Sequence, residues 1–310
     1  MKSKIAVFGA GFVGATTAQR IVERELADVM LIDAPQTGDM PKGKALDMME
    51  SACLERFDTK IEGSVDPAAC TGSDVIVITA GVARKPCMSR DDLLNINAGI
   101  VGGIAENIKK HAPSSIVIVV SNPLDVMTFL AGAKLGFAKN RVMGMAGVLD
   151  SARFRCFLAM ELGVSHRDVD AMVLGGHGDD MVPLVRYSTV GGIKVEDLLP
   201  KDKLDAIVTR TRNGGAEIVN LLKTGSAYYA PASSVAEMVA SMLLDQKRVL
   251  PCAAWCTGQY GIQDQFVGVP CVLGKDGVEK IIELKLSADE LASLKKSADH
   301  VAESVKKLNL

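Results

Sequence analysis

The sequence predicts an α/β protein with a doubly wound parallel sheet over residues 1–146, followed by an α+β unit over residues 147–310. Three observations carry that expectation. Short β-rich runs alternate with helical segments through the first half. A glycine-rich turn follows the first of those runs directly. The 310 residues, 48% of them hydrophobic, exceed what one compact core usually holds and suffice for two closely packed ones.

Residues 4–10, 29–33, 74–80, 116–121 and 141–145 are apolar almost throughout, as strands buried on both faces of a parallel sheet must be. Residues 13–25 and 91–111 between them carry apolar positions at helical spacing, so the connections read as right-handed crossovers. In the second half, residues 169–174, 181–187 and 267–284 read as strands of a mixed sheet. Residues 203–223 and 234–244 read as long helices. The last helix is marked by Ser287 and Glu290, a capping box, and by Leu291, Leu294, Ala298, Val301, Val305 and Leu308 at three- and four-residue steps.

Composition narrows the function. Thirty-seven acids against 35 bases leave a net charge of −2 and no basic tract for a nucleic acid. The opening MKSKIAVFGA is a strand entering a turn, too short in its apolar run for a signal peptide. The run 116–120 ends at Ser121-Asn122-Pro123, far short of a membrane span. Seven scattered cysteines lack paired metal spacing, and nothing near Cys252 and Cys256 completes a zinc site. They read as reduced thiols of a cytoplasmic protein without a metal.

Gly9-Ala10-Gly11-Phe12-Val13-Gly14 joins the first strand to the first helix. The first glycine permits the tight turn, the second lets main chain approach a diphosphate, and the third lets helix and strand pack closely. Free N–H groups and the helix dipole would favour the anion there. Asp33 closes the next strand, 19 residues after Gly14. A carboxylate at that place can accept both ribose hydroxyls and repels a 2′-phosphate, so the expected cofactor of this Rossmann domain is NAD. An aspartate that merely caps a strand end is the plainer alternative.

Other segments hold chemistry that is ambiguous residue by residue. His177 lies between glycines just after an expected strand, where it could be structural or a proton acceptor with a pKa near 6.5. Asp150 and Arg153 share a helix face, which fits a cap with a local ion pair as well as catalysis. Arg84 and Arg90 flank Pro86 in a loop that could be a solvated charged surface. Asn122, held extended before Pro123, could be an ordinary turn residue.

Taken together, the segments 79–90 (TAGVARKPCMSR), 121–123 (SNP), 149–153 (LDSAR) and 175–179 (GGHGD) resemble the lactate/malate dehydrogenase superfamily over nearly the whole chain. The likeness is greatest to its bacterial, lactate-dehydrogenase-like malate dehydrogenases. It implies hydride transfer between NAD and (S)-malate or oxaloacetate, with lactate or another 2-hydroxy acid as the alternative substrate. By resemblance, His177 takes the hydroxyl proton, Asp150 orients its ring, and Arg90 polarises the reacting carbonyl. Arg153 grips the C1 carboxylate through paired hydrogen bonds, and Asn122 donates to the substrate oxygen beside the nicotinamide. Asn97 and Val120 are implied as further cofactor contacts, and residues 229–234 as pocket lining. Arg84 stands where the lactate enzymes carry glutamine, so the implied partner is a small dicarboxylate. Closing it over pyruvate would leave a buried cation unpaired, and about 4 kcal/mol corresponds to roughly a thousandfold discrimination. The family assembles as homodimers or homotetramers, and residues 42–52, with Met48 and Met49, resemble its dimer-contact helix.

One residue departs from the family pattern. Cys87 replaces the glycine that usually follows Arg-Lys-Pro, and its thiol lies near three cations in sequence, which favours thiolate. A reactive thiol there would make activity sensitive to thiol reagents, with bound NADH protecting it; a tolerated small residue without special reactivity is the plainer alternative. Unchanged inactivation of Cys87→Ser would exclude this thiol as the target.

Overall fold

A computed structural model describes residues 2–82 and 90–308, the side chain of Arg90 excepted. Arg84 and Cys87 lie outside the described residues.

Strand β1 (Lys4–Phe8) leads through the glycine turn into α1 (Phe12–Glu23) and returns in β2 (Asp28–Ile32). Helix α2 (Met40–Glu55) then crosses to β3 (Ile61–Ser64), a strand the apolar pattern had not marked, since Glu62, Gly63 and Ser64 weaken it. The chain passes to β4 (Val75–Ile78), α3 (Arg90–His111), β5 (Ile116–Val119), α4 (Leu124–Leu135) and β6 (Val142–Gly144). These strands pair in parallel in the order β3-β2-β1-β4-β5-β6, the doubly wound arrangement expected.

Period-two burial divides the core along β1. Ile5 and Val7 face one layer, with Ile21 and Val22 of α1. Ala6 and Phe8 face the other, with Val101 and Ile108 of α3. All but Phe8 (4%) are fully shielded from solvent, and each of the larger ones contributes about 1.5–3 kcal/mol by leaving water.

The second half opens with α5 (Gly147–Leu162). The expected strand 169–174 is two short pieces, β7 (Val169–Asp170) and β8 (Val173–Leu174). The expected strand 181–187 is β9 (Val182–Pro183) followed by a 3₁₀ turn at Val185–Tyr187. Pro183 cannot donate to a ladder, which helps to stop the strand there. After β10 (Thr189–Val190), β11 (Ile193–Lys194) and α6 (Val195–Leu198) come the long helices α7 (Lys201–Leu222) and α8 (Tyr229–Leu243).

The last strands differ most from expectation. Residues 267–284 are not part of a separate second sheet. β12 (Arg248–Thr257), β13 (Gln263–Gly274) and β14 (Gly277–Ile281) form an antiparallel meander that joins β6 through Ala253 and Gly144. Among the described residues the large sheet therefore has nine strands. β12 escaped the sequence reading because it contains Pro251 and small residues. In the sheet Pro251 faces Pro270, so the two residues lacking an N–H fall at one step of the ladder. Val235, Met238 and Val239 of α8 share the apolar layer of Ile5 and Val7, so the halves are packed on common ground.

Helix α9 (Ala288–Val305) closes the fold. Its capping box forms as the sequence predicts: Glu290 N–H donates to Ser287 Oγ (3.2 Å), and Ser287 N–H donates to Glu290 Oε2 (2.7 Å). Ser287→Ala is expected to cost about 1 kcal/mol and lower Tm by roughly 2 °C in calorimetry, while Ser287→Thr should be near neutral.

Candidate active site

The strand ends β1 and β2 position the cofactor turn. Gly9 has φ +105°, and a Cβ there would meet Thr79 Oγ1 and the backbone of Ala80. A Cβ on Gly14 would overlap the carbonyl oxygen of Gly9, so the third glycine sets how closely α1 lies on the turn. A Cβ on Gly11 would meet nothing within 4 Å. That opening lies at the start of α1, whose first turn has no acidic residue and no side-chain cap. Unspent N–H groups facing open space suit a diphosphate. A cleft of about 500 Å³ runs from Gly9 and Gly11 past Asp33 to Thr79 and Gly81. NAD fits this donor set.

Asp33 is held in place by the turn itself. Its Oδ2 accepts the N–H of Ala10 at 2.5 Å and its Oδ1 that of Ala34 at 2.7 Å. The carboxylate thus caps its strand end and also borders the cleft. Phe12 is 70% exposed and stacks on Tyr228. Lys44 of α2, which the sequence reading passed over, donates to the carbonyl of Ala10 at 2.6 Å and brings a cation to the turn.

Asn97 has a structural task of its own. Its Oδ1 accepts the N–H of Val82, and its Nδ2 donates to the carbonyls of Val82 and Asn122 at 3.2 and 2.6 Å. The amide ties two strand-end loops together beside Gly81, which lines the cofactor cleft.

A second cavity, of about 340 Å³, brings Val13, Val120, Asn122, Arg153 and His177 together. Of residues 229–234, Pro231 lines it. Tyr229, Ala230, Ser233 and Ser234 line a separate cavity of about 830 Å³ beside Arg155 and Asp170. Asn122 and Pro123 are joined by a cis peptide bond. Arg90 begins α3 by its backbone alone, so its expected contact lies outside the described side chains.

Asp150 organises the chemistry from the first turn of α5. It is 1% exposed. Its Oδ2 lies 2.8 Å from His177 Nδ1, and its Oδ1 accepts from Arg153 Nη1 at 3.1 Å. Burial, the largest single influence, acts to lower the His177 pKa. The charge and hydrogen bond of Asp150, with help from Asp125, outweigh it and hold the imidazole pKa above its ordinary value. Arg153 Nε is buried without a hydrogen-bond partner among the described residues. Room for this arginine comes from α7, where Gly214 and Gly215 pass its side chain: a Cβ on Gly214 would stand 3.2 Å from Arg153 Cδ.

Two further side chains secure the histidine loop. Gly176 N–H donates to Ser297 Oγ of α9 at 2.8 Å, and His177 N–H donates to Asp125 Oδ2 of α4 at 2.8 Å. Asp125 carries a signal that was available in the sequence: it is an acid in an otherwise apolar helix start, LDVMTFL. Ser297 carries none, because its partner is 121 residues away.

The cysteines are unpaired where described. Cys252 and Cys271 are fully buried, and burial pushes their thiols up; Cys256 is pushed up to about 12. Among the described residues no helix is long and apolar enough to cross a membrane.

Known proteins resemble the chain along its full length. A family model described as the lactate/malate dehydrogenase NAD binding domain matches residues 3–144, and one for the alpha/beta C-terminal domain of the same family matches residues 147–309. The malate dehydrogenase of Chloroherpeton thalassium is 56% identical over 307 residues, covering 99% of this chain and 98% of that one. That of Anoxybacillus flavithermus is 54% identical with the same coverage. The structure of apo malate dehydrogenase from Picrophilus torridus superposes with a TM-score of 0.95 at 51% identity, covering 99% of this chain and 97% of that one. Lactate dehydrogenase from Cryptosporidium parvum, complexed with lactic acid and NAD, superposes with 0.94 at 41% identity, covering 99% and 98%.

Gly14→Ala is expected to push α1 away from the turn. Overpacking of about 1–3 kcal/mol would weaken NADH at least fivefold in a fluorescence titration. Gly11→Ala, in open space until the cofactor arrives, should weaken NADH without lowering Tm.

Proposed function

The chain belongs to the lactate/malate dehydrogenase family, and on that premise we propose that it is a malate dehydrogenase, interconverting malate and oxaloacetate. The observation that carries this reading is the buried Asp150 held against His177 Nδ1 at the wall of the cavity that also holds Asn122 and Arg153. NAD, when bound, supplies or accepts the hydride at the substrate carbon. Every other part of the reaction belongs to the protein.

With Nδ1 engaged by Asp150, the proton moves at His177 Nε2. In oxaloacetate reduction that nitrogen donates to the carbonyl oxygen, and in malate oxidation it takes the hydroxyl proton. The raised pKa favours the imidazolium, the form the reduction needs. Asp150 stabilises that cation and fixes the ring, so the site need not reorganise as charge develops. Arg153 receives the carboxylate beside the reacting carbon, and its place in the cavity wall beside His177 supports that role. Asn122 donates to the substrate oxygen. Arg90 polarises the same oxygen, and Arg84 pairs with the second carboxylate.

The reading extends to assembly and location. A homodimer or homotetramer is supported by α2, where Leu46 and Leu54 are 61% and 82% exposed; Met48 and Met49 pack instead against the subunit's own core. Unpaired cysteines fit a reducing compartment, the cytoplasm.

NADH oxidation with oxaloacetate and with pyruvate, for wild type and Arg84→Gln, tests the assignment. Wild type should prefer oxaloacetate by roughly a thousandfold in kcat/KM, and the variant should lose most of that preference. Equal or better turnover of pyruvate by wild type would move the assignment to a lactate dehydrogenase.

A further inference from the structure

We propose that Asp125 is a positioning residue for His177: a buried carboxylate that holds the histidine's main-chain N–H and adds a second negative charge to the pocket where the ring takes up its proton. The inference rests on the reading of His177 as the proton carrier.

Three observations lead to it. Asp125 is 6% exposed, yet only one of its oxygens is used. Oδ2 accepts from His177 N–H and Oδ1 has no partner among the described residues. A carboxylate held only as a structural clip would have both oxygens satisfied, because a buried acceptor without a donor is costly. The loop is also shaped to receive it. A Cβ on Gly176 would stand 3.2 Å from Asp125 Oδ2, so a side chain at 176 would crowd the carboxylate. The surrounding charges, finally, are those of the reaction. Asp150 and Arg153 face this corner from α5 and His177 from its loop, whereas α9 presents the neutral Ser297 and Val301. His300 of α9 is engaged with Asp180 at 2.7 Å.

Burial and the like charge of Asp150 raise the Asp125 pKa, against the pull of the His177 amide and ring, to about 6. Above that pH the group is ionised and favours the imidazolium; below it the group is neutral and no longer does. The stability consequence has the opposite sign. A carboxyl whose pKa is raised in the fold binds its proton more tightly there than in the unfolded chain, so stability falls as pH rises from about 4 through about 6. The fold bears this cost in the pH range where the enzyme needs the charge.

The test compares two variants with wild type. Asp125→Asn keeps an acceptor for the His177 amide and removes the charge, whereas Asp125→Ala removes both. In Asp125→Asn the His177 pKa, read by NMR of labelled histidine in the resting enzyme, should fall. The alkaline limb of oxaloacetate reduction should move down with it, kcat at pH 8 should drop more than KM rises, and Tm should gain more at pH 8 than at pH 5. Asp125→Ala should lose at least tenfold in kcat at every pH. An unchanged His177 pKa in a folded Asp125→Asn overturns the proposal, and so does equal kcat for the two variants at every pH. If neither variant folds, the side-chain carbon of Asp125 in wild type decides: a carboxyl ionised at pH 7 supports the proposal, and one still protonated at pH 8 overturns it. The NMR readings need no turnover, so they separate failure of this inference from failure of the malate dehydrogenase assignment.

Discussion

A buried negative charge that cannot be left alone governs the active-site half of this molecule. Asp150 sits at the first turn of α5, 1% exposed, where an ionised carboxylate is tolerable only with close partners. The structure supplies two, His177 Nδ1 at 2.8 Å and Arg153 Nη1 at 3.1 Å. Removing either would strand the charge, which typically costs about 3–5 kcal/mol. The arginine comes from the next turn of the same helix, but the histidine must be brought from elsewhere. The histidine loop is carried between α4 and α9 by Asp125 and Ser297, and the arginine needs a notch in α7. Four distant stretches of chain therefore converge because one carboxylate was placed out of water.

That convergence explains which parts of the site could be read from sequence. The glycine turn and Asp33 are local: strand, turn, helix and strand lie within 33 residues, and the spacing alone encodes their geometry. His177, Asp150 and Arg153 became legible only as a set, through family resemblance, since each has a plain structural alternative. Asn97 also clasps two loops together, a role that depends on which way its amide points and that no sequence pattern reports. Ser297 and Lys44 were invisible because their partners are remote or are main-chain atoms.

The fold was legible to a similar depth. Strands buried on both faces announce themselves by unbroken apolar runs, and β1, β4 and β5 did so. β12 did not, with Pro251 in its midst, and its absence from the reading hid the fact that the C-terminal meander continues the first half's sheet. Sequence patterning reports what each segment buries. It does not report which edge a segment will pair with, and here a single step between Ala253 and Gly144 decides that.

The glycine pair of α7 has a bearing on engineering. Anyone seeking a sturdier protein would look for glycines inside helices, since replacement by alanine usually gains about 1 kcal/mol. Gly214 and Gly215 would be among its candidates. At Gly214 the added methyl would press on Arg153 Cδ, and the arginine that we propose grips the substrate would have to give way. Here the gain in heat resistance and the loss of grip would come from the same carbon atom.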